Sequence, residues 1–459
     1  MFTKKRLVAT ATALAMMIPL AACSSGGLGS GGGSSAAPSI KRSADPAVLK
    51  AARDFKGTFT YWTGLTFPDA GNKIEEQRIE QWGKNLGIAV QVVAVNQNDT
   101  SQRVAAALQS GAMPDALTIG YDLAKVMAGN KQLAPVDDVF KSVGTDHGGW
   151  FDPIKKATTD KSWGGDVYGV PLGFFGNVLF RRTDLLKAAG YTNPPTTWQQ
   201  FTDQATKVTS APKVYGAGLS LGNVLDGNEM TAIMQSFGGR VANNSGTTCT
   251  LDTPQVKKFL TWVTNLYKNK VIPPDSVTWN GASDNNAYLA GGAGFIVNTG
   301  SVYLSMLTQD PQLLEDTAYS ALPAGPIMTV NPVDIRYRVI PTSTKSNAKI
   351  LAKDLFRVLS ADDYNKQYMA EATYGPVLKS QASYPIFEKT AYAALLTIAK
   401  SGGTAPAYPD VANIAFSDYQ NSFSTPHMIQ RVVTDGLSID AAAAEAQANC
   451  QKIYNKYNK

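Results

Sequence analysis

Histidine and cysteine are scarce, with two of the first and three of the second in 459 residues. His147 and His427 stand far apart, and there is no H-x-H, no H-E-x-x-H and no closely paired cysteines. A catalytic zinc therefore has no ligand set in the sequence. Long hydrophobic runs are missing too: no uncharged apolar stretch reaches the roughly 18 residues of a membrane-spanning helix, which excludes a polytopic membrane protein. Charge of one sign is in small excess, +6 overall, spread along the chain. That is too weak and too dispersed for a nucleic-acid footprint. No Gly-Lys-Ser or Gly-Lys-Thr P-loop occurs, so the chain does not itself hydrolyse ATP, and no cofactor is called for. The glycines are not periodic and no heptads persist, which sets aside collagen and coiled coil.

What is present is a globular composition, 44% hydrophobic and 17% charged, long enough for two or three cores. The first residues address the chain. Lys4-Lys5-Arg6 is a basic n-region, Leu7 to Leu20 an apolar h-region, and Leu20-Ala21-Ala22-Cys23 ends it in small residues before a cysteine. This resembles the bacterial lipobox, at which the cysteine is lipidated and residues 1–22 are cut away; loss of the three basic residues lowers the charge from +6 to +3. Two or more acyl chains on Cys23 would anchor the protein stably to the cell membrane. The Gly/Ser-rich stretch that follows predicts a flexible tether with a span of about 20–25 Å, and residues 23–56 are assigned to the anchor and tether. Cys249 and Cys450 remain. Outside the cytosol a disulfide is allowed, and burial as free thiols is the alternative. The bridge, the preferred reading, would tie the C-terminal helix to a loop about 200 residues earlier.

The body alternates strands and helices. Thr58 to Trp62 is strand-like; Ile79, Trp82 and Leu86 mark a helix that Gly87 stops; Ile88 to Val95 is a β-branched strand. A helix from Asp99-Thr100 to Gly111 and a strand from Asp115 to Ile119 complete a βαβαβ order, which predicts a parallel, doubly wound sheet. Later come a helix after Thr183, a capping box at Thr197-Trp198-Gln199-Gln200, and a strand at 214–219. A helix opened by Thr253-Pro254, strands at 294–297 and 336–340, and an Ala-rich last helix follow.

Behind the lipobox, several segments line up in order: Ser110-Gly111-Ala112-Met113-Pro114-Asp115, Tyr168-Gly169-Val170-Pro171, Leu179 to Leu186, Thr196 to Phe201, Phe237-Gly238-Gly239, Ala293 to Ser301 and Val339-Ile340-Pro341. Together they resemble the extracellular solute-binding proteins of bacterial carbohydrate ABC importers, in the branch that includes maltose-binding protein. Ser301 stands where that family often has a bulky residue. The resemblance implies two doubly wound α/β lobes joined by a hinge, a periplasmic-binding-protein-like architecture of type II. It divides the chain into 57–172 with 328–370 and 173–327 with 371–459. It also implies a monomer that delivers a neutral oligosaccharide to the transmembrane subunits of a permease.

A pyranose has apolar C–H faces and a polar rim, so aromatics, amides, carboxylates and guanidinium groups at strand ends are the candidates. They are Trp62, Tyr121, Asp122, Phe174 (with Phe175 beside it), Asn177, Asn223, Trp279, Asn298, Asp334, Arg336 and Tyr374. Trp82, Trp198 and Trp262 fall within helical patterns and read as core. Two other classes stay open: a secreted carbohydrate-active or ester-cleaving enzyme, and a binder of a non-sugar solute. Gly218-Leu219-Ser220-Leu221-Gly222 matches the G-x-S-x-G elbow, but Gly222-Asn223 and Asp226-Gly227 interrupt the helix such an elbow needs.

Overall fold

Nine strands among the described residues form two mixed sheets. The structure, a computed structural model, describes residue 40 and residues 43–66, 69–388, 390–401 and 407–457; the leader, Cys23 and the Gly/Ser run lie outside them. The first sheet is built from β1 (Thr58–Gly64), β2 (Ala89–Val95), β3 (Ala116–Gly120), β4 (Val170–Gly176) and β9 (Val333–Val339), in the order β2-β1-β3-β9-β4. The second contains β5 (Val178–Arg182), β6 (Tyr215–Gly218), β7 (Ala293–Asn298) and β8 (Thr317–Ser320), in the order β6-β7-β5-β8.

The opening βαβαβ unit is parallel as its sequence predicts: β1 pairs with β2 and with β3 in that sense. Glycines stop both of its helices in left-handed caps, Gly87 at φ 71° and Gly111 at φ 71°. The remainder of that sheet is antiparallel, because β9 returns from far along the chain to insert between β3 and β4. Only Asn177 separates β4 of the first sheet from β5 of the second, so the chain crosses between sheets there and returns between Ser320 and Val333.

Strand alternation explains how the second sheet is buried on both faces. Phe180 and Ile296 join one apolar cluster, which runs on into the first sheet, while Leu179, Phe295 and Val297 join the other. Trp82 and Trp198 are buried and Trp262 is half-buried, as their helical spacing predicts. At Thr197 the capping box is half formed. Its hydroxyl accepts the Gln200 N–H at 3.2 Å, but the Gln200 amide reaches back to the Thr196 N–H at 2.8 Å.

Residues 46–54, which the sequence reading assigned to the tether, are instead an α-helix. Asp45 caps it by accepting the Ala47 N–H at 2.8 Å, and Val48, Ala51 and Ala52 bury one face. Three small apolar residues at helical spacing supply that face, and this outweighs the polar flanks. Cys249 and Cys450 are bridged. Among the described residues no helix is long and apolar enough to cross a membrane.

Candidate functional site

The parallel strands β1, β2 and β3 end in polar loops on one side of a cavity of about 720 Å³, and the loops after β6 and β7 line it too. Open α/β sheets place ligand sites at these carboxyl ends, where backbone groups beyond the last ladder bond are free to turn toward a guest. From the first sheet come Thr66 after β1, Asn96, Gln97 and Asn98 after β2, Asp122 after β3, and Asp334 and Arg336 near the start of β9. From the second come Asp226, Asn228 and Glu229 beyond β6, Asn298 and Ser301 at the end of β7, and Asn280 and Asn285. Gln420 and Asn421, which end the Ile414–Asn421 helix, also line it.

One hydrogen bond reaches from the loop after β2 to the loop beyond β6: the Leu225 N–H donates to Asn98 Oδ1 at 3.0 Å. Beside it, a Cβ on Gly281 would sit 2.5 Å from the Asn98 amide nitrogen, so a larger residue there would make the Asn98 side chain move.

Arg336 is 3% exposed and sits 3.6 Å from the Asp334 carboxylate. Its guanidinium carbon lies 5.3 Å from the centroid of the Phe175 ring, a cation–π distance. Phe175 stacks in turn on Tyr374, with centroids 4.9 Å apart. A Cβ on Gly120 would fall 2.5 Å from Arg336 Nη1, so a larger residue there would displace the guanidinium. Asn298 is the hub of the opposite wall. Its amide nitrogen donates to Asp284 Oδ2 at 2.9 Å and Asn285 Oδ1 at 2.6 Å, and its Oδ1 accepts from the Gly300 N–H at 3.1 Å and Ser301 Oγ at 2.8 Å.

Of the residues expected from sequence, Asp122, Asn177, Asn298, Asp334 and Arg336 line this cavity. The other six do not. Trp62 is half-buried and packs on the core with Arg103 over its ring at 5.5 Å, because β1 continues two residues beyond it. Tyr121 opens the Tyr121–Gly129 helix but turns inward, edge-on to Trp163 at 5.5 Å. Phe174 is fully buried while its neighbour Phe175 faces the cavity, the consequence of alternation along β4. Tyr374 is buried behind Phe175, Trp279 is 7% exposed, and Asn223 is exposed with its amide 3.4 Å from Gln430. Ser220 of the G-x-S-x-G match is buried, its hydroxyl accepting the Gly222 N–H at 3.4 Å, and no α-helix follows until Glu229.

Asp122 is held at the junction of two helices, accepting the Ser417 hydroxyl at 2.7 Å. Burial is the main cause that pushes its carboxyl from an ordinary 3.8 up to about 7; the Ser417 hydrogen bond opposes this and the Asp334 charge adds to it. A raised carboxylate stabilises the fold below 3.8, and that contribution is lost as the pH climbs toward 7. The Asp122→Asn variant is therefore expected to gain melting temperature over the parent at pH 8 and not at pH 4. Equal gains at both values would show that Asp122 does not titrate in this way.

The family described as bacterial extracellular solute-binding protein matches residues 69–366 by its profile. A Deinococcus radiodurans protein named "Probable ABC transporter-binding protein" is 27% identical over 222 residues, which is 47% of this chain and 52% of that one. Among solved structures, maltose-bound MalE3 of T. maritima superposes with a TM-score of 0.75 at 18% identity, covering 86% of this chain and 99% of that one. A sugar transporter protein from Arthrobacter chlorophenolicus A6, with laminaribiose bound, gives the same TM-score of 0.75 and identity of 18%, again covering 86% and 99%. The chain belongs to the bacterial extracellular solute-binding proteins. It has the two-sheet α/β fold of the maltose-bound structure.

Proposed function

We propose that this protein captures an oligosaccharide in the cavity between its two sheets and passes it intact to an ABC permease. The observation that carries this reading is the wall itself: eleven amide side chains, drawn from both sheets' loops, surround a volume of about 720 Å³. Amides can donate and accept at once, which is what a rim of hydroxyls requires. The sugars in the solved relatives named above agree with this reading.

The two halves would act as lobes around a hinge, their first boundary at Asn177 and not at 172/173 because β4 stays in the first sheet to Gly176, with the crossings near Asn177 and between Ser320 and Val333 flexing as the guest bridges them. Closure would be favoured only by the guest's differential affinity for the shut form. Residues 1–22 would be removed and a lipidated Cys23 would hold the monomer at the outer face of the membrane.

Calorimetry against di- to hexasaccharides, followed by product analysis, tests the proposal. Saturable binding with the sugar recovered whole supports it; cleavage by the purified protein would transfer the chain to the enzyme class. Phe175 is the aromatic lining residue among the described ones. Phe175→Ala is expected to cost about 2 kcal/mol of affinity if its ring meets a sugar face, with Trp62→Ala changing affinity less than twofold. The reverse ranking would return Trp62 to the site.

A further inference from the structure

The cavity that serves as the solute site on the reading above is short of positive charge. Five carboxylates line it among the described residues and one guanidinium, Arg336. Asp69 pairs with Lys73 at 2.9 Å and Asp334 with Arg336 at 3.6 Å, while Asp122 accepts from Ser417. Asp226 and Glu229 are different: both are partly buried, and among the described residues neither makes a side-chain hydrogen bond to another residue or has a basic group within ion-pair distance. They stand at the turn and first residue of the Glu229–Ser236 helix, and Asp284, 3% exposed, adds a third negative charge behind them.

A desolvated carboxylate without a partner is costly, and the cost is recovered when a cation arrives. Burial holds both Asp226 and Glu229 well above the ordinary carboxylate range, and each is raised further by a neighbouring carboxylate. Among the described residues no group of three or more His, Cys, Asp and Glu could hold a metal ion, whereas a protonated amine meets carboxylates through hydrogen bonds and needs no such set.

A second observation in the same wall points to a guest. Gln420, 9% exposed, lines the cavity; its Oε1 accepts from Thr231 at 2.9 Å, and its amide nitrogen has no acceptor among the described residues. Asn228 and Asn421 belong to the same lining, and among the described residues Asn228 Oδ1 and Asn421 Nδ2 also have no partner. These donors and acceptors suit hydroxyls, and the two free carboxylates suit a protonated amine.

We propose that the guest is a hydroxylated amine of the amino-sugar type, its cationic nitrogen held by Asp226 and Glu229 and its hydroxyls by the amides around them. This departs from the neutral guest expected from sequence, and it rests on the cavity being the solute site.

The test uses the purified full chain and matched pairs of mono- to tetrasaccharides of glucosamine and N-acetylglucosamine, which share a skeleton and differ in charge. Calorimetry is expected to give at least about tenfold tighter binding for an amine form. That preference should shrink in 0.5 M NaCl, a readout that needs no variant. It should also fall to within threefold in Asp226→Asn and Glu229→Gln, the amine form losing more affinity than its acetylated partner. Equal affinities for the two forms, or tighter binding of the acetylated one, would overturn the proposal and leave the oligosaccharide reading standing. Spermidine binding as tightly as the best amine sugar would overturn the hydroxylated guest. Silence from every member would overturn the amine guest, and calorimetry against neutral di- to hexasaccharides would then decide the oligosaccharide reading separately.

Discussion

Replacing Cys249 and Cys450 by alanine is expected to lower the free energy of unfolding by roughly 5 kcal/mol, the chain-entropy value for a loop of this length. The bridge closes a sequence separation of 201 residues, and both cysteines are buried. The native state should survive the change, because two glutamines stitch the same elements together. Gln447 accepts the Leu251 N–H at 2.6 Å and donates to the Cys249 carbonyl at 2.6 Å, and Gln451 accepts the Cys249 N–H at 2.9 Å. Denaturant melts of parent and variant measure the difference, and affinity for the guest should stay within twofold. A loss below 1 kcal/mol would mean that the unfolded chain gains little freedom when the tie is removed.

Asn298→Ala is expected to cost about 3 kcal/mol, because it strips a partner from a buried carboxylate and orphans a backbone donor at once. Asp284 is 3% exposed and takes a hydrogen bond from Asn298; the Gly300 N–H and Ser301 hydroxyl donate to the same side chain. Burial already pushes the Asp284 carboxyl from 3.8 up to about 6, with Asn298 the main opposing influence. Without that amide the carboxyl rises further, so it is neutral and tolerated at pH 5 but charged and poorly solvated at pH 8. The loss should thus be larger at pH 8 than at pH 5. Guanidinium melts at the two values decide it, and a loss of the same size at both would refute the account of Asp284. Because Asn285 and Ser301 belong to the same wall, affinity for the guest should fall at least tenfold.

Much of the first sheet was legible because its information is local. β1, β2 and β3 follow one another with β-branched runs, glycine stops and short loops, and their parallel pairing follows from that order. The mixed character of both sheets was not legible. β9 pairs with β3 and β4 across long stretches of chain, and no local pattern encodes which edge a distant strand will join. At the site, the polar strand-end residues Asp122, Asn298, Asp334 and Arg336 could be read because they follow or begin recognisable strands. The aromatics misled for a physical reason: Tyr121, Trp163 and Tyr337 gather in one edge-packed cluster, where ring area has more to gain from the core than from a wet cleft. Asp226, Glu229 and Gln420 carried no periodic signal. The run Asn96-Gln97-Asn98, directly after the strand ending at Val95, was the clue available and unused.

The Asn98 bond to Leu225 has a consequence for size. It joins two loops that both line the cavity, so a guest that wedged them apart would have to break it. A guest that leaves both loops in place keeps a hydrogen bond worth about 1 kcal/mol, and one that parts them forfeits it. The room a guest has between these loops would thereby depend on one asparagine and the glycine beside it.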